Sequence, residues 1–232
     1  MISVNEFAAE VTGAPIRGAG DLRALVRRRH AVPTVAMRTG AGGSEEYAMF
    51  YTRGLTLHST IEYLEHALSR SEFDVVLSRL SAEQRAWLDR ASLTDDVPYP
   101  VALSLWRSAD EALRNMEPQW AEHAGAESIR VRGMQFYSGL LKKPTPVEFF
   151  AQHISLFQRY YRPGDMIITE RGSGRATARM VGFEAGDRLF CRRLTGGWLA
   201  GMQIAGGRDV TVNHARCVLD GDLFCEWEVQ WK

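Results

Sequence analysis

Three cysteines, no excess of either charge and no long apolar run set the first limits on this chain of 232 residues. Lys plus Arg equals Asp plus Glu, 28 against 28, so no overall field draws it to nucleic acid or to an anionic lipid surface. The one basic run, Arg27-Arg28-Arg29-His30, lacks interleaved aromatics and reads as a solvated helix end. No stretch is long and apolar enough to predict a membrane span. The opening MISVNEFAAEV carries acids and no apolar core segment, which argues against a signal peptide. An odd number of cysteines without an export signal points to a reducing compartment, and the expected location is cytoplasmic.

Catalytic motifs are equally scarce. There is no phosphate loop, no G-x-S-x-G elbow and no H-E-x-x-H pair. Gly172-Ser173-Gly174 lacks the third glycine and the strand–helix setting of a dinucleotide loop, so it reads as a turn. His58, Glu62 and His66 recur every four residues but flank an apolar stripe, as a solvated helix edge does. The sequence thus predicts a protein that binds and does not catalyse.

What is present is ordinary for a globular chain: 45% hydrophobic and 24% charged residues. Residues 1–52 read as an extension, with short helices over Asn5–Val11 and Asp21–Arg29. A hairpin, Pro33–Arg38 and Tyr47–Thr52, follows around a glycine-rich tip. Residues 53–232 read as one sensor-like domain. Its first part is helical by periodicity: Leu57, Ile61, Leu64 and Leu68; then Phe73, Val76, Leu77 and Leu80. Ser81 with Gln84 forms a capping box, and Ala102, Leu105, Trp106, Ala109 and Leu113 mark a helix after Pro98 and Pro100. Ile129, Gly133, Phe136 and Leu140 suggest another. Val147, Phe150, Ile154, Phe157 and Tyr161 form the most aromatic stripe.

From Pro163 the apolar period falls to two. Met166–Glu170 and Arg175–Val181 flank a hairpin turn, and a helix is expected over Asp187–Ala205. Two last strands, Val210–Leu219 and Leu223–Trp231, surround Asp220-Gly221-Asp222. The predicted fold class is α+β: a mostly antiparallel sheet packed against several helices, ending in a C-terminal β-hairpin.

That hairpin carries the chemistry. Cys217 and Cys225 each lie four residues from Gly221 and should stand opposite one another. Val210, Val212 and His214 share one strand parity, while Cys217 and Leu219 share the other. A β-bulge between 214 and 217 would bring all five to one face. With Cys191 from the preceding helix, the set Cys191, His214, Cys217 and Cys225 has the composition of a closed structural zinc shell. Buried free thiols or a cross-strand disulfide are the alternatives.

Cys191, then Cys217 twenty-six residues on and Cys225 eight further, resembles the four-vinyl-reductase domain, the sensory part of activators that respond to phenols. The resemblance implies zinc held by three such cysteines and a carboxylate three residues before the second, where this chain has His214. The middle, with Arg53-Gly54 and Leu77-Ser78-Arg79-Leu80-Ser81, resembles bacterial proteins described as similar to heme-nitric-oxide-binding domains. Heme-binding relatives carry a Tyr-x-Ser-x-Arg run that is missing here, so no heme is expected.

The resemblance implies a regulatory sensor or adaptor of bacterial type. Its ligand would be a small apolar molecule, and its partner another protein or a second copy in a homodimer. The expected ligand wall is Phe150, Ile154, Phe157 and Tyr161, faced by Trp198. The alternative is an assembly or trafficking scaffold with a filled core.

Overall fold

The computed structural model describes residues 50–232, apart from the side chains of residues 153–155. The short helices and the glycine-rich hairpin expected before residue 50 lie outside the described residues. The fold is mixed α and β, with antiparallel sheets packed against helices, as the sequence predicts.

Strand β1 (Tyr51–Arg53) lies between β2 (Asp96–Pro98) and β3 (Tyr161–Arg162) in a small antiparallel sheet. Tyr51 and Thr52 therefore belong to this sheet. The buried Thr52 hydroxyl donates to Thr56 at 2.9 Å and lies 3.1 Å from the Tyr160 carbonyl. Helix α1 (Gly54–Ala67) starts directly from β1 and buries Leu55, Leu57, Tyr63 and Leu64. Helices α2 (Arg70–Ser78) and α3 (Ala82–Arg90) each open on a capping box, Ser69 with Glu72 and Ser81 with Gln84. Each box satisfies backbone N–H groups that the first helical turn leaves unbonded. Helix α4 (Tyr99–Leu113) buries its whole predicted stripe.

Helix α5 (Trp120–Ser128) had no signal in the apolar pattern because its buried face is mostly small: Ala121, Ala124, Gly125, Ala126 and Ser128. It runs through a π-turn at Ile129–Gly133 into α6 (Met134–Leu141). A π-turn holds more residues than an α-turn and resets the helical phase. Phe136, expected on the apolar stripe with Ile129, is therefore 43% exposed.

Helix α7 (Pro146–Tyr160), capped by Thr145, leads into β3. The second sheet has the order β4-β5-β7-β6, from β4 (Asp165–Gly172), β5 (Arg175–Val181), β6 (Thr211–Arg216) and β7 (Cys225–Gln230). Helix α8 (Arg188–Ile204) crosses between the sheets' helical cover and β6–β7, its start capped by Asp187. On β7, Cys225, Trp227 and Val229 are buried while Glu228 and Gln230 are exposed, the predicted alternation. Glu226 departs from it. It is buried and paired with Arg179 at 2.7 Å.

Helices α5 and α8 pack backbone to backbone. A Cβ on Gly125 would stand 2.0 Å from the Arg193 carbonyl oxygen, and one on Gly196 1.8 Å from that of Glu122. The glycines of the 195–198 run thus admit another backbone.

Candidate functional site

The register of β6 on β7 steps by one residue between His214, opposite Trp227, and Arg216, opposite Glu226. This is the expected bulge. After it the chain leaves the ladder at Cys217 and makes a short 3-10 turn, Val218–Asp220, closed by Gly221 at φ +92°. The strand therefore stops short of the predicted Leu219. The turn is held by bonds from the N–H groups of Asp220 and Asp222 to the Cys217 carbonyl, and by the Cys217 N–H to Asp222 Oδ2 at 2.9 Å.

These elements bring the four predicted ligands together: the ligand atoms of Cys191, His214, Cys217 and Cys225 all lie within 4.8 Å of one another. Cys191 Sγ is 3.9 Å from Cys225 Sγ, which is 4.0 Å from Cys217 Sγ. A disulfide needs about 2.05 Å, so these separations exclude one in this arrangement. They do match a metal: zinc–sulfur bonds of about 2.3 Å in a tetrahedron put neighbouring sulfurs about 3.8 Å apart. The His214 ring stacks on Trp227 with centroids 4.4 Å apart, and its buried Nε2 has no hydrogen-bond partner.

The thiols perturb one another. The hydrogen bond from Cys191 holds Cys225 down at about 4, with further contributions from the nearby His214 ring and the Val218 backbone N–H. The hydrogen bond to Cys225, with burial, pushes the Cys191 thiol up, and burial raises Cys217. Three thiols this close and this buried crowd one another's charge. A divalent cation would displace their protons and relieve the crowding.

The expected ligand wall divides. Phe150 and Trp198 are fully buried and stack directly on each other, centroids 4.7 Å apart, leaving no space between them. Phe157 and Tyr161 instead line a cavity of ≈ 40 Å³ that also touches α1, α5, the π-turn and α8. The Ile154 side chain lies outside the described residues.

Sequence reading missed Arg193 and Tyr160, which line the same cavity. The signal for Arg193 was present: it occupies the apolar face of α8, in step with Leu189 and Gly197. The His58, Glu62 and His66 set does not converge. His58 Nε2 lies 2.7 Å from the Ala91 carbonyl, and Glu62 pairs with Arg132.

No family model and no curated protein matches the chain. Solved structures do match. The Fe(II) unliganded H-NOX protein from K. algicida aligns with a TM-score of 0.60 at 12% identity, covering 78% of this chain and 96% of its own. The S. oneidensis H-NOX protein in its Fe(II)NO state aligns at 0.57 and 12%, covering 78% and 99%. An oxygen-binding H-NOX domain related to soluble guanylate cyclases aligns at 0.56 and 12%, covering 78% and 95%. The fold is that of the H-NOX domains.

The expectation of no heme is corrected by this likeness, because the fold is shared with proteins crystallised with iron and studied for heme distortion. The missing Tyr-x-Ser-x-Arg run does not take the chain outside that fold. In the arrangement described, the cavity holds a few waters' volume, and among the described residues no imidazole lines it. A porphyrin does not fit those residues unless α1, α5, α7 and α8 part.

Proposed function

We propose that this chain is a non-catalytic sensor domain. It takes a small ligand between α1, α5, α7 and α8, carries one structural zinc ion, and signals through a partner protein or a second copy. The H-NOX-like fold and the small cavity between the helices support the sensor reading. The zinc reading rests on one observation: four ligand atoms within 4.8 Å, with sulfur spacings of tetrahedral edge length. The cysteine spacing shared with the four-vinyl-reductase domain supports it further, with His214 in place of that domain's carboxylate.

Four protein ligands close the shell and leave no position for an activated water, so the ion would stabilise β6–β7 against α8 and catalyse nothing. Native mass spectrometry of protein purified without added metal tests this, since it reads zinc, heme, small ligand and subunit number together. One zinc per chain is expected. Metal-free protein with three freely titrating thiols would refute the zinc assignment.

The filled Phe150–Trp198 contact favours a second reading, an assembly scaffold acting through protein contacts. If no small molecule shifts the melting of the intact protein, the scaffold reading replaces the sensor.

A further inference from the structure

Arg193 is 4% exposed, and its Nε and Nη1 have no hydrogen-bond partner. Among the described residues it forms no ion pair with a carboxylate, and the nearby phenols of Tyr161, Tyr99 and Tyr63 are pushed up by burial and stay neutral, so they do not offset its charge. Burial pushes the guanidinium down to about 10, so it remains a cation at neutral pH. The Trp106 ring lies 4.8 Å from its Cζ, a cation–π contact that offsets part of the cost. A buried cation with open donors is among the costliest features a fold can carry, and native proteins meet it with an anion.

The surroundings say what kind of anion. Arg193 lines the cavity with Tyr160, whose buried hydroxyl also lacks a partner, and with Thr56 and Ser128. Leu156, Phe157 and Leu194 supply an apolar remainder. At ≈ 40 Å³ the space is that of roughly three waters. It suits a group of a few heavy atoms, with oxygens at one end.

We propose that this cavity receives a small planar oxyanion, its oxygens accepting from Arg193 and Tyr160 and any short tail lying on Leu156, Phe157 and Leu194. The inference rests on the small-ligand reading above and narrows the ligand from apolar to anionic. The same chemistry is offered by a short-chain carboxylate or by an inorganic anion such as nitrate.

Melting of the intact protein at fixed ionic strength separates the cases. Acetate or propionate should raise the melting temperature, and propionamide, of the same shape but neutral, should bind roughly tenfold more weakly or worse. Nitrate acting as strongly as the acids would assign an inorganic source, and acids acting alone an organic one. Arg193→Met should abolish the shift while the ligand-free variant melts no lower, because a buried cation without a partner has been removed. Should that variant not fold, Tyr160→Phe supplies the test and should weaken the acid shift.

Equal shifts from acid and amide, or an acid shift surviving Arg193→Met, would overturn the anion while leaving a small-ligand sensor standing. Silence from acids, amide and nitrate alike would overturn the anion site, leaving Arg193 held by Trp106 and water. The sensor reading would then stand or fall on uncharged phenols and short alcohols in the same assay.

Discussion

Single side chains carry most of the chemistry. Cys217 contributes a buried thiol at the head of the turn that closes the cluster, so Cys217→Ser should release zinc and open the terminal strands to protease. A melting drop of roughly 5 °C or more is expected, since each kcal/mol lost moves a domain of this size by about 2–4 °C. Unchanged melting with unchanged metal content would show the cluster idle. His214 is the informative position, because it is the one nitrogen donor among the four converging side chains. His214→Asp should retain zinc by elemental analysis, whereas His214→Ala should retain less. At this scale the sequence was most legible where spacing and parity both spoke, as with the bulge between His214 and Cys217. Arg193 was legible only as a position on the apolar face of α8, because the cavity around it is built by elements far along the chain.

At the scale of elements, the contact of α5 with α8 is specified by glycine. Gly196→Ala would drive a methyl into the Glu122 carbonyl. Overpacking of this kind costs about 1–3 kcal/mol, to be read as a lower urea midpoint. Gly139→Ala in α6 meets nothing within 4 Å and should gain up to about 1 kcal/mol from helix propensity. If both variants behaved alike, the close packing would not be limiting. The same contact explains why α5 escaped the pattern reading. Hydrophobic periodicity detects large buried side chains, and this face is built from their absence. The π-turn escaped for a related reason: a change of phase within one continuous helix leaves no break in composition, and Phe136 was assigned to the wrong side.

Across the whole molecule, the sequence placed the helical middle and the sheet-forming end correctly, because periods of 3.6 and 2 persist over long runs. The edge of the body is less sharply written. Thr52 is buried, and β1 bridges β2 and β3, so a chain beginning at Met49 should keep a native circular dichroism spectrum and melting cooperativity. A chain beginning at Gly54 should lose cooperativity. Equal behaviour of the two would show β1 dispensable.

Helix α8 holds Cys191 and Arg193 two residues apart, about 3 Å along its axis and on different faces. Binding at either place is therefore binding to one short piece of helix, and free energies around such a cycle must close. Whatever factor a carboxylate adds to metal retention, the metal must add to carboxylate affinity. Titrating the acid with and without a metal at the cluster would measure the same coupling constant as titrating the metal with and without the acid.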